Sequence, residues 1–168
     1  MKRLLLLRHA EARGFDSGPD RERSLTDDGA NDAAALGLLI KKQNYTPDYI
    51  FCSPAKRTQQ TLEQLFLEGV KTQKPEPLYN SPCGDLLNFI QETNDDVQTL
   101  MVIAHNPGIY QLAAMLAAEG DNDSLTRLMS GGYRPATLSV LNLGADKWSA
   151  IQPGDNELID LIEPQRLS

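Results

Sequence analysis

Three short runs in this chain, residues 3–7, 49–52 and 100–104, are apolar almost without a break. A strand with one face in water alternates polar and apolar residues, whereas an unbroken apolar run has no face to give to solvent. Such strands belong inside a sheet that is covered on both sides. Segments of helical period lie between them. Residues 27–43 place Ala30, Ala33, Ala34, Gly37 and Leu38 on one face, with Thr26 in the N-cap place. Residues 54–67 turn Leu62, Leu65 and Phe66 inward, and residues 85–91 predict a short helix. Residues 107–118 carry Ile109, Leu112, Ala113, Leu116 and Ala117 at helical spacing. Strands alternating with helices predict an α/β fold, with a mostly parallel central sheet and helices on both faces. Residues 76–79 read as a weak strand between prolines, and 137–142 with 147–151 as a closing hairpin around Gly144. Residues 13–24 and 120–135 are polar and contain glycine, and read as loops.

The length, 168 residues, predicts a single domain over 1–168, with about 153–168 expected as a loosely packed C-terminal tail. A hydrophobic share of 40% and a charged share of 23% suffice for a packed core and exclude disorder. Sixteen basic against 23 acidic residues leave a net charge of −7. That balance excludes nucleic acid or an anionic membrane as main partner, so any bound anion must be held by a local basic cluster. Cys52 and Cys83 make neither a disulfide framework nor a zinc spacing. Arg8, His9 and Glu11 interrupt the N-terminal leucines too early for a signal peptide. No apolar run approaches the roughly 18–20 residues of a membrane span. The expectation is a soluble cytoplasmic protein, with no oligomer expected.

In open α/β sheets, ligands bind beyond the carboxyl ends of the strands. The first strand ends in Arg8-His9, the second in Cys52-Ser53-Pro54 with Arg57 one turn on, and the strand at 100–104 in His105-Asn106-Pro107. The chain has two histidines, and both fall at this edge. Ser53-Pro54 and Asn106-Pro107 read as helix starts, a capping residue before proline, whose free N–H groups attract anions. Two guanidiniums, two imidazoles and two helix ends suit a phosphoryl group, whose oxygens arginine matches two at a time.

Other phosphate chemistries do not fit. The GxxxxGK[ST] loop is absent. A Cys-x5-Arg loop would need arginine at 58, where Thr58 stands, so Cys52 reads as a core residue. No confident strand ends in aspartate, and two histidines beside two arginines make a poor metal site. A histidine is the nucleophile that remains.

Leu7-Arg8-His9-Ala10-Glu11-Ala12 resembles the signature of the histidine phosphatase superfamily, the Arg-His-Gly branch. Further segments resemble its SixA-type phosphohistidine phosphatases: Arg23-Ser24-Leu25-Thr26, Ser53-Pro54-x-x-Arg57-x-x-Gln60-Thr61, Pro82-Cys83-Gly84-Asp85, and Val102-Ile103-Ala104-His105-Asn106-Pro107-Gly108. They stand in the family's order between residue 3 and about 110. The resemblance implies a phosphoglycerate mutase-like three-layer αβα sandwich. It implies that His9 is the nucleophile, that Arg8, Arg57 and His105 surround the phosphate, and that Arg23 adds a third guanidinium. It calls for neither metal nor cofactor.

Ala10 departs from the family's glycine by one methyl group. Asn106 replaces the acid that the acid phosphatases carry, and the nearest carboxylate to the mutases' proton donor is Asp85, which could equally cap a helix. Glu11 reads as orienting the first loop. A P–N bond to imidazole breaks without a strong acid once the other ring nitrogen is protonated, whereas an alkyl ester needs a proton donor. The expected reaction is therefore dephosphorylation of phosphohistidine on a phosphotransfer protein, with like-charge repulsion keeping His9 neutral. The competing expectations are a small-molecule phosphomonoesterase of the same superfamily, a non-catalytic phosphate- or phosphoprotein-binding regulator, and a metal hydrolase.

Overall fold

The structure is a computed structural model and describes residues 1–120 and 122–165. Seven strands form one sheet: β1 (Arg3–Arg8), β2 (Tyr49–Cys52), β3 (Lys71–Gln73), β4 (Thr99–Ala104), β5 (Ala117–Gly120), β6 (Leu138–Leu143) and β7 (Asn156–Ile162). The order across the sheet is β3-β2-β4-β1-β6-β7-β5. Strands β1 to β4 pair in parallel, β6 runs antiparallel to both β1 and β7, and β5 pairs in parallel with β7.

The unbroken apolar runs lie where their composition requires, at the centre of the sheet. Alternate residues of β1 and β4 enter opposite cores. Leu4, Leu6, Leu100, Val102 and Ala104 face the first, and Leu5, Leu7, Met101 and Ile103 the second. Helices α3 (Cys83–Gln91), α4 (Gly108–Leu116) and α5 (Asn122–Met129) cover the first face through Leu86, Ile90, Ile109, Leu112, Leu116 and Leu128. Helices α1 (Asp27–Lys42) and α2 (Lys56–Leu65) cover the second through Leu36, Ile40 and Leu65. The fold is the αβα sandwich that the alternation predicts. No helix among the described residues is long and apolar enough to cross a membrane.

Several local expectations are corrected. Residues 76–79 form a 3-10 turn, Glu76–Leu78, not a strand, because Pro75 and Pro77 lack the N–H that a ladder needs. The edge strand is instead β3, whose exposed Lys71, Thr72 and Gln73 carry no apolar signal. Residues 147–151 are not the second arm of a hairpin. Trp148–Ala150 is a 3-10 turn that buries the indole completely, its Nε1 donating to Val97 O at 2.8 Å. The partner of β6 is β7, which also removes most of the expected loose tail: Leu158 and Leu161 are core residues, and β7 is paired on both edges. Residues 166–168 of that tail lie outside the described residues. The polar segment 120–135 contains α5, a helix hidden by its composition because only Leu125 and Leu128 turn towards the core.

Candidate active site

Register determines what meets at the carboxyl edge. Arg8 is opposite Ala104, and Cys52 is opposite Ile103, so His9, His105 and Ser53 emerge side by side from three neighbouring strands. The His9 amide donates to Ala104 O at 3.2 Å and the Ser53 amide to Ile103 O at 3.0 Å, which extends the ladder one step into the site. The imidazole centroids of His9 and His105 are 5.4 Å apart. Arg57 is the second residue of α2 and is buried. Arg23 comes from the first long loop. All five residues singled out from the sequence as phosphate-site candidates, Arg8, His9, Arg23, Arg57 and His105, line one open cavity of about 760 Å³.

Asp85 does not join them. It lies exposed in the first turn of α3 and is absent from the cavity lining, whose carboxylates are Glu11 and Asp20. Glu11 does hold the loop: Thr26 Oγ1 donates to Glu11 Oε1 at 2.8 Å while accepting the Gly29 amide at 3.0 Å as the cap of α1. Ser53 and Asn106 are not caps. Helix α2 starts at Lys56 and α4 at Gly108, without side-chain caps. Ser53 Oγ instead stands 2.7 Å from His105 Nε2, and Asn106 Nδ2 donates to Tyr133 O at 3.0 Å.

The hydrogen bonds assign the tautomer of His9. His9 Nδ1 lies 2.7 Å from Ala10 O, and a carbonyl can only accept, so Nδ1 carries the proton and Nε2 keeps its lone pair. Ser53 Oγ accepts the Ala55 amide at 3.5 Å and pairs with His105 Nε2 at 2.7 Å, a contact in which a hydroxyl can either donate or accept. Both rings are held neutral, with pKa values lowered to about 3. Burial is the largest cause for each. Arg57, Arg8 and Arg23 add repulsion at His9, and His9 and Arg57 add it at His105. The repulsion expected from the sequence is present but second to desolvation.

Three buried nitrogens able to donate have no partner here: Arg8 Nε, Arg57 Nε and His105 Nδ1. Buried donors are almost always satisfied. Three of them gathered around a histidine with a free Nε2 lone pair form a receptacle for an oxyanion. Other donors of the same residues fix the frame: Arg8 Nη1 donates to Tyr133 O at 3.0 Å and Arg57 Nη1 to Asp20 O at 2.8 Å. Thr61 Oγ1 accepts the Ala10 amide at 2.9 Å and donates to Arg57 O at 2.7 Å, tying α2 to the segment that carries His9. Ala10 is fully buried, and its methyl group packs with Leu25, Ala33 and Ala136. Cys52 is buried with its thiol pushed up to about 12 by desolvation, the behaviour of a core residue. Among the described residues, no three His, Cys, Asp or Glu side chains gather as a metal-ligand set.

Sequence reasoning missed Asp20, whose carboxylate accepts from Arg23 Nε at 3.1 Å, from Arg57 Nη2 at 3.3 Å and from the Tyr79 hydroxyl. Its signal was its place three residues before Arg23 in a segment read as a loop.

The pattern of the histidine phosphatase superfamily (branch 1) matches residues 4–92. The phosphohistidine phosphatase SixA of Escherichia coli K12 is 31% identical over 121 residues, covering 67% of this chain and 73% of that protein. Among solved structures, a candidate phosphohistidine phosphatase SixA from Agrobacterium tumefaciens superimposes with a TM-score of 0.78 at 28% identity, over 97% of this chain and 98% of that one. A similarly named protein from Nakamurella multipartitia reaches a TM-score of 0.83 at 25% identity, over 97% and 96%.

Proposed function

The chain belongs to the histidine phosphatase superfamily (branch 1), and from that premise we propose that it is a metal-independent phosphohistidine phosphatase working through a covalent histidine intermediate. The observation that carries the reading is the set of buried, unpaired donors on Arg8, Arg57 and His105 beside the lone pair of His9 Nε2. The resemblance to SixA proteins supports phosphohistidine as the substrate class.

In the first step His9 Nε2 attacks phosphorus in line, and the P–N bond of the substrate breaks with its electron pair going to the departing imidazole. That imidazole, protonated on its far nitrogen, leaves neutral. His9 keeps its own Nδ1 proton on Ala10 O, so the phosphorylated ring is cationic and remains a good leaving group. Water then attacks phosphorus, the P–Nε2 bond breaks, and neutral His9 returns as phosphate departs. No carboxylic acid is needed in either step, which agrees with the exposed position of Asp85. Arg8, Arg57, Arg23 and His105 hold the equatorial oxygens, where charge accumulates in the transition state. The substrate is a phosphohistidine on the surface of a phosphotransfer protein. The open cavity, with Phe15 79% exposed at its lining, supports a protein surface rather than an enclosed small molecule.

The test is phosphate release from a phosphohistidine peptide and from an aryl phosphate in excess EDTA, for the native protein and His9→Ala. The expected result is EDTA-resistant release, faster from phosphohistidine and reduced at least about a thousandfold in the variant. Preference for the aryl phosphate would make the protein an ester phosphatase of the same superfamily. Release that survives His9→Ala, or that EDTA abolishes, would overturn the mechanism.

A further inference from the structure

Two of the three guanidiniums in the cavity share one carboxylate. Asp20 sits in the 3-10 turn Asp20–Glu22 of the first loop. Its Oδ1 accepts from Arg23 Nε at 3.1 Å and faces Arg23 Nη2 at 3.0 Å, and its Oδ2 faces Arg57 Nη2 at 3.3 Å. Oδ2 also accepts the Tyr79 hydroxyl, and the Asp20 carbonyl accepts Arg57 Nη1 at 2.8 Å. A loop, the first turn of α2 and the segment after the 3-10 turn Glu76–Leu78 therefore meet on one side chain. The loop is also held by the Arg13–Ser24 and Thr26–Glu11 backbone bonds at 2.9 and 3.0 Å, by the Arg23 Nη1 bond to Arg13 O at 2.7 Å, by the Leu25 amide on Gln60 Oε1 at 2.8 Å and by the exposed Arg21–Glu76 ion pair, none of which reaches both guanidiniums. Arg23 and Arg57 lie on separate elements and repel each other. Each has one backbone bond of its own, to Arg13 O and Asp20 O, and the Asp20 carboxylate is the group that joins the two guanidiniums to each other.

We propose that Asp20 is the positioning residue of the phosphate site, clamping Arg23 and Arg57 in the orientation that receives the phosphoryl oxygens. This rests on the phosphatase reading above and adds to it a residue that never touches phosphorus. Asp20 does not serve as the proton donor. Hydrogen bonding from Tyr79 and the charges of Arg57 and Arg23 lower its carboxyl to about 2, so it stays ionised throughout the working range. An alternative role follows from the same contacts: the carboxylate could compete with phosphate for the two arginines. The two roles differ in sign. A clamp strengthens oxyanion binding, and a competitor weakens it.

The experiment measures kcat, KM and inhibition by inorganic phosphate for the native protein, Asp20→Asn, Asp20→Ala and His9→Ala, on a phosphohistidine peptide and an aryl phosphate. A clamp predicts that Asp20→Ala lowers kcat/KM about a hundredfold, the scale of a 1 Å misplacement. Phosphate inhibition weakens about tenfold, and Asp20→Asn falls between. The alkaline limb of the pH–rate profile keeps its position in Asp20→Asn. Circular dichroism melts establish that each variant is folded at the assay temperature. If Asp20→Ala does not fold, the nearly isosteric Asp20→Asn carries the same comparison. Unchanged or tighter phosphate inhibition would overturn the clamp, and loss of the alkaline limb would replace it with a proton donor. Activity remaining in His9→Ala would instead overturn the phosphatase mechanism, whatever Asp20 does.

Discussion

An imidazole beside three guanidiniums loses proton affinity through repulsion alone. At His9 burial acts more strongly still, and at His105 it is again the leading cause. The chain has only these two histidines, so their titration can be read directly. NMR of the ligand-free protein is expected to show neither imidazole titrating between pH 5 and 8. A midpoint near 6.5 for either would contradict the packing described here. Stability follows the same shift. Unfolded histidines take up protons below about 6.5, whereas the buried rings stay neutral down to about 3. Between those limits the unfolded chain binds more protons, so stability falls on acidification, by about 1 kcal/mol per pH unit for each ring. Denaturant melts at pH 7 and pH 5 check this. At this scale much was legible: Arg8, His9, Arg57 and His105 follow strand ends or a helix start, positions that can be read along the chain. Asp20 was not, because its partners Arg57 and Tyr79 are 37 and 59 residues away.

Elements were legible where hydrophobic period is strong and obscure where polar composition hides a shallow contact. The runs that became β1, β2 and β4 have no polar face, and α4 buries the stripe its spacing shows. Helix α1, by contrast, turns Leu36 and Ile40 inward and leaves Leu38 exposed, and Phe66 caps α2 in a left-handed conformation with its ring exposed. Strand β3 and helix α5 show neither run nor stripe, because an exposed edge strand and a two-leucine helix bury too little to leave a pattern. The helices that cover the second face approach very closely at Gly37, where an added Cβ would stand 2.2 Å from Leu65 O of α2. Alanine favours the helix over glycine by about 1 kcal/mol. A backbone oxygen cannot move aside as a side-chain tip can, so α1 and α2 must separate. Gly37→Ala is expected to lower stability by about 1–3 kcal/mol while leaving kcat near native at 25 °C, since Gly37 lies outside the cavity lining. A rise in melting temperature would show that the helices have room.

Across the whole molecule, the sheet continues past the predicted parallel half. Antiparallel β6 joins β1 to β7, and the Thr137 carbonyl accepts the Arg8 amide at 3.1 Å, so the C-terminal third helps to build the edge that carries Arg8 and His9. A chain ending at residue 155 would lose β7 with Leu158 and Leu161, and would leave β5 and β6 with open edges. It is expected to lose its cooperative melting transition, whereas a chain ending at 165 keeps it. Retention of the transition by the shorter chain would show that the sheet tolerates ending at β6. The net charge of −7 surrounds a pocket holding three arginines, so this cluster of cations is a local arrangement set against the charge of the whole. The sequence by itself determined the layers, the central strands and the four residues at their ends, because hydrophobic period and strand-end position are local properties. Only the tertiary structure decided the protonation of the two imidazoles, the exclusion of Asp85, the role of Ser53 and the capture of two arginines by Asp20. Each of these depends on desolvation or on contacts between distant segments, which exist only after the chain has packed.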